Sequence, residues 1–155
     1  MDAISMVANM SPESFQEVVK VSPRKIRETL FGRLGIKAKK KTVGIKVHGK
    51  LEERTKKLHE RLKDAQTDQE QELCAELLRN WLYTKRPLLK DTLDYLEVKN
   101  DNGLIDEEPT FFQELDKEKV EELVQHLRDQ GHDDEAIGIY LRFVDTSHID
   151  DVLPA

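Results

Sequence analysis

The chain has 155 residues, enough for one domain with a real core or for a smaller domain with an arm. Charged residues reach 36%, against about 25% in an average globular chain, while Gly and Pro are few, which argues against a loop-rich or β-sandwich fold and favours solvated helices. The net charge of −6 conceals a sorting by position: residues 20–50 hold eleven Lys or Arg against one acid, Glu28, and residues 91–155 hold five against nineteen.

Ser11 with Pro12 and Ser22 with Pro23 each place a capping hydroxyl before a proline at a first helical position, where the missing N–H costs nothing. The first helix so predicted buries Phe15, Val18 and Val19. The second runs to about Leu34, with Ile26, Leu30 and Leu34 at i, i+4 and i+8 and a stop at Gly35. From Ile36 to Lys50 a lysine run gives way to the alternation Val43, Ile45, Val47, the pattern of a short extended segment near 42–48 or of a linker.

Leu51 to about Tyr83 carries the strongest helical signal. Leu51, Thr55, Leu58, Leu62 and Ala65 recur at the 4-3-4-3 spacing of a narrow seam. Gln66 to Glu72 is polar on every face, and Thr67 with Glu70 forms a capping box, so a break near Thr67 competes with one continuous rod. Leu73, Leu77, Leu78, Trp81 and Leu82 follow as a wider apolar face. Pro87 opens a helix through about Val98 that buries Leu89, Leu93 and Leu96, and Asn100 to Gly103 reads as a turn. Phe111, Phe112 and Leu115 are predicted to pin an acidic loop to the core. Asp116 caps a helix to Gln130 closed by Gly131, Asp133 caps the next, and Ser147 caps a short last turn.

These elements predict an all-α protein of six or seven helices. A basic head with its arm (1–50), a central helical hairpin (51–103) and an acidic C-terminal three-helix module (104–155) divide the chain, with 51–155 as one compact domain in the simpler version.

Candidate sites follow the charge. Arg24, Lys25, Arg27 and Arg33 lie off the apolar stripe of the second helix, and Lys39, Lys40 and Lys41 extend them as an arm. A helix-turn-helix-like pair would show these groups to phosphates, but the joint lacks a glycine and the helix offers no Asn or Gln for base edges. An acidic protein, an anionic membrane surface or the chain's own acidic end suits the same face. The seam Leu51, Leu58, Leu62 and Ala65 is a candidate for self-association. Phe143, Ile149, Val152 and Leu153 form a candidate apolar docking edge for a basic amphipathic partner.

Catalytic and metal readings find little support. No two histidines have the i, i+3 or i, i+4 spacing of paired ligands, and His132 beside Asp133, Asp134 and Glu135 reads more simply as a helix-start acid cluster. Counting Gly103 as the sixth position of a calcium loop leaves Val98 and Pro109 where acids belong. There is no phosphate-cradling glycine loop and no nucleophile elbow. Cys74, the single cysteine, allows no intramolecular disulfide and falls on a Leu-rich face. Trp81 and Tyr83 near Lys85 and Arg86 suit a surface anchor, but Trp81 reads more simply as core with only its neighbours exposed. The N-terminal stretch Met1 to Met10 lacks a basic n-region and is too short for a membrane span, so a cytoplasmic protein without a transmembrane segment is expected.

The resulting expectation is a non-catalytic adaptor or regulatory protein without cofactor or metal. It self-associates through the helical seam and recruits a protein partner by one charged end; the alternative is a nucleic-acid-binding regulator using residues 20–50.

Overall fold

A computed structural model describes residues 1–36, 51–65 and 67–154. Among these the chain is all-helical, with nine α-helices, two short 3-10 turns and no strand. The lysines at 39, 40 and 41 and the extended segment expected near 42–48 lie outside the described residues. No helix among the described residues is long and apolar enough to cross a membrane.

The chain divides into two compact units, Met1–Trp81 and Leu82–Ala155. The boundary falls in the last turn of a helix, not at the charge and turn boundaries near 50 and 103 on which the three-part division rested.

Unit 1 opens with a helix the sequence reading did not predict, α1 (Ala3–Ala8), started by Asp2, whose carboxylate accepts from the Ser5 N–H. Its face Ile4, Met6 and Val7 is buried. The Ser11 cap accepts from Ser14 N–H and begins α2 (Pro12–Val21), which buries Phe15, Val18 and Val19. Ser22 departs from expectation: its hydroxyl turns back and donates to Val19 O at 2.6 Å, leaving Pro23 as an N-cap without a side-chain bond for α3 (Arg24–Arg33). Within α3, Leu30 and Phe31 are buried while Ile26 and Leu34 are only partly covered, so the buried stripe is rotated toward Phe31.

Of the two readings, a break near Thr67 or one continuous rod, the break is the one observed. α4 (Leu51–Arg61) tightens into a 3-10 turn over Leu62–Asp64, Ala65 is extended, and α5 (Asp68–Tyr83) begins where the Thr67 hydroxyl accepts from Glu70 N–H at 3.4 Å. The break lets Leu58 and Leu62, both fully buried, turn toward α1 and α2, against which α4 and its terminal turn pack. Of the seam expected to face a second chain, Leu58, Leu62 and Ala65 are buried within this chain and Leu51 is half-buried. A 4-3 row demands an apolar neighbour without naming it, and here the neighbour is the chain's own α1–α2 pair.

Side chains of α4 finish the helices before it. Arg61 Nη1 donates to Leu34 O at 2.8 Å, and His59 Nε2 lies 3.0 Å from Val7 O, which can only accept, so that nitrogen carries its hydrogen. His59 also stacks on Phe15 at 4.5 Å. Both bonds reach carbonyls at helix ends, and Val7 O also accepts from the Met10 N–H at 3.3 Å.

Unit 2 contains α6 (Arg86–Tyr95), α7 (Lys117–Asp129), α8 (Asp134–Phe143) and α9 (Ile149–Val152), with a 3-10 turn at Phe111–Glu114. α6 packs on α7, and α7, α8 and α9 pack on one another. Asp116 and Asp133 cap α7 and α8 as expected, and Gly131 at φ +92 follows α7. Phe112 is buried edge-on to Tyr140, while Phe111 and Leu115 are half-buried. The last helix is capped differently from expectation: His148, at φ +62, precedes α9, and the Ser147 hydroxyl donates to Gln113 O at 2.7 Å.

The loop that imitated a calcium site is a folded turn. Gly103 N–H donates to Asn100 Oδ1 at 2.9 Å, and the Asn100 amide donates to Asp94 and to Val98 O. Gly103 sits at φ +88 against α6, where a Cβ would lie 2.7 Å from Leu89 Cβ and 2.9 Å from Lys90 N. Only glycine fits both constraints.

Candidate interaction surfaces

The basic residues of α3 divide into two classes. Arg24 and Lys25 are exposed on its first turn, the end where backbone N–H groups already point outward; that turn contains no acid, and Glu28 one turn on feels the Arg24 charge. Arg27 and Arg33 are engaged. Arg27 is half-buried with Nη1 3.5 Å from Ser22 O, and Arg33 Nη2 reaches Glu70 Oε2 and Thr67 Oγ1, each at 3.3 Å. Glu70 is 6% exposed, so Arg33 neutralises an otherwise costly buried carboxylate. Sequence reasoning saw the sign of these cations but not Glu70, which lies 37 positions further along.

A second ion pair was missed altogether. Arg54 of α4 donates two bonds to Glu28 of α3, at 3.1 and 2.8 Å, while its guanidinium lies 4.3 Å from the centre of the Phe31 ring. The hydrogen bonds from Arg54 hold the Glu28 carboxyl below its ordinary value, and the positive charges of Arg54, Arg24 and Arg27 act in the same direction, against a smaller opposing effect of burial. Nothing local in the sequence signals a pairing across 26 positions.

Beside this basic head an open groove of about 470 Å³ runs between α3 and α5, lined by Thr29, Arg33, Gln69, Glu72, Leu73 and Glu76. Residues 69, 72, 73 and 76 share one face of α5 at i, i+3, i+4 and i+7, and the lining positions Thr29 and Arg33 share one face of α3. Leu73 is the part of the wide α5 face that remains half-exposed once Cys74, Leu77, Leu78 and Trp81 enter the core. A polar cleft of about 430 Å³ lies elsewhere in unit 1, among Ser5, Asn9, Lys63 and Gln71.

In unit 2 the proposed docking edge is mostly interior. Ile149 and Leu153 are buried, and Phe143 and Val152 are half-buried. Arg142 covers this end: it pairs with Asp150 at 2.9 Å and also donates to Leu153 O, passing over Gly138. The acids around His132 have separate structural tasks. Asp133 caps α8, Asp134 pairs with Arg128 at 2.8 and 3.0 Å, and His132 Nε2 contacts Asp91 of α6 at 2.7 Å. Among the described residues, no group of three or more His, Cys, Asp or Glu side chains is arranged to hold a metal ion.

Cys74 is fully buried, and loss of solvation, with the nearby Glu70 and Asp2 charges adding to it, pushes its thiol up to about 12. It is a protonated core side chain at neutral pH. Tyr83 is exposed with Arg86 5.4 Å from its ring centre, and Trp81 is 2% exposed, so the expected anchor is reduced to Tyr83 and Arg86.

Comparison with protein-family models, with curated proteins and with solved structures gives no match for this chain.

Proposed function

We propose that this chain is a non-catalytic adaptor or regulatory protein that recruits an acidic protein segment through the first turn of α3. The observation that carries the reading is the division of charge by compact unit. Residues 1–81 hold 17 Lys or Arg against 12 acids and residues 82–155 hold 8 against 19, net +5 and −11 along the sequence, although six of the seventeen cations, at 37–50, lie outside the described residues. Within the basic body, Arg24 and Lys25 stand at a helix start whose own partial charge has the same sign. An acidic chain reaching that turn meets two cations and open N–H groups at once. The nucleic-acid alternative has weaker support, since two of the four α3 cations on which it relied are engaged within the chain.

Affinity capture with the full chain and with an Arg24→Glu/Lys25→Glu variant tests the reading. Both positions are exposed, so the variant should fold normally. A protein partner retained by the parent and lost by the variant is the expected result. Salt-sensitive binding of duplex DNA or single-stranded RNA, abolished by the same variant, would replace the adaptor reading with the nucleic-acid one.

A further inference from the structure

We infer that the α3–α5 groove of unit 1 is self-complementary and receives the same groove of a second copy of this chain about a two-fold axis. This goes beyond the recruitment reading and does not depend on it. The groove has two walls of unlike charge. α3 contributes Arg33 and Thr29, with Lys25 one turn earlier on the same face, and α5 contributes Glu72, Glu76 and Gln69. Among the described residues Lys25 and Glu72 make no ion pair, whereas Arg33 holds Glu70 and Glu76 holds Arg79. Each wall therefore keeps one exposed charge of its own sign, and Leu73 lies half-exposed between them.

A two-fold axis running along the groove exchanges left for right. It lays the α3 wall of one copy over the α5 wall of the other, so Lys25 meets the partner copy's acidic wall in both halves, and the two Leu73 side chains approach near the axis. Such an isologous contact closes on itself and leaves no free groove to propagate a fibre. Gly32 fits the same geometry. It is exposed in the last turn of α3, and a Cβ built there meets nothing within 4 Å, so no packing inside the described chain requires a glycine. A glycine in a helix costs about 0.5–1 kcal/mol relative to alanine. Here it bares the α3 backbone beside the groove, where a second helix can come close.

The four lining positions on α5 span about 10 Å at helical rise. The contact is thus smaller than a standard interface, and a weak dimer seen only at high concentration is expected.

The test is sedimentation equilibrium of the full chain from about 1 µM to 1 mM. Two wall variants use exposed positions only: Lys25→Glu/Thr29→Glu makes the groove acidic, and Gln69→Lys/Glu72→Lys makes it basic. The parent should rise from one to two chain masses across the range. Each wall variant alone should bind itself at least tenfold more weakly, and an equimolar mixture of the two should recover the dimer, because each then presents the wall the other needs. Gly32→Lys should also weaken the dimer tenfold or more while leaving helix content unchanged by circular dichroism. A parent that stays monomeric to 1 mM overturns the inference. So does a dimer indifferent to both wall variants and to Gly32→Lys, or a mixture that remains monomeric after each variant has lost self-binding. Gln69→Lys/Glu72→Lys and Gly32→Lys leave Arg24 and Lys25 intact, so a dimer lost in them while partner capture persists separates this inference from the recruitment reading.

Discussion

The two units are fastened in different ways. In unit 1 the polar ties are long in sequence: Arg54 reaches Glu28, Arg61 reaches Leu34, Arg33 reaches Glu70 and His59 reaches Val7, separations of 26 to 52 positions. In unit 2 several are short: Asn100 to Asp94, Arg128 to Asp134 and Arg142 to Asp150 are 6 to 8 positions apart, with His132 to Asp91 and Ser147 to Gln113 O among the long ones. A body held by local ties settles its loops as its helices form, whereas one held by distant ties depends on a late element, here α4.

Substitutions can break or sharpen that contrast. Leu58→Ala should have the largest effect, about 3–4 kcal/mol, because the fully buried leucine joins α4 to α1 and α2 and its loss leaves a cavity. Urea unfolding followed by the emission of Trp81 in the unit 1 core would register it, and backbone amides of unit 2 should keep their exchange protection. Gly103→Ala should cost about 2–3 kcal/mol, from the positive φ and from overlap with α6 backbone that cannot yield. Exchange protection should then fall in α6 and remain unchanged in α1 and α2.

Arg54→Ala is expected to cost about 1 kcal/mol, since the paired Glu28 is partly solvated and the bond is screened. The pH dependence has a definite sign. The folded state lowers the Glu28 carboxyl, so its contribution is fully present above the ordinary carboxylate value and is lost as pH falls through the lower folded value. Acid titration of parent and variant by circular dichroism should therefore show the stability difference shrinking below about pH 4.

The smallest effect concerns helix ends. α3, α6, α7 and α8 all finish with the same pair of bonds, i to i−3 and i to i−5, around a residue of positive φ: Gly35, Glu97, Gly131 and Asp145. Two are glycines and two are acids, and a carboxylate there meets both left-handed strain and the negative helix end. Glu97→Gly and Asp145→Gly should each raise the thermal midpoint, corresponding to about 0.5–1 kcal/mol. Both lie in unit 2, so the gain should appear there alone.

What was legible in the sequence follows from range. Ser11, Asp116, Asp133 and Gly131 act on residues three or four positions away, and their spacing identified them. Ser22 and Ser147 carry the same chemistry, yet each hydroxyl donates to a carbonyl instead, one of them 34 positions distant. α1 was missed although Asp2 followed by Ile4, Met6 and Val7 is a cap before an apolar face; six residues are simply too few to establish a period. The Leu58 row was read as buried and given to a second chain, because periodicity describes a helix face and never its neighbour. The groove was invisible for a similar reason. It exists only because α3 and α5 lie side by side, and no residue pattern in either helix announces the other.

The bonds from Arg61 to Leu34 O and from His59 to Val7 O have a consequence during synthesis. α1 and α3 leave the ribosome before the α4 side chains that bond to carbonyls at their ends, and Arg61 follows Ile36 by 25 positions. At about 5–20 residues per second, those helices wait about one to five seconds for the side chains that complete them. During that interval α3 is presented to the surroundings on an unfinished body, before Glu70 has arrived to pair with Arg33 in its last turn and Arg54 to pair with Glu28.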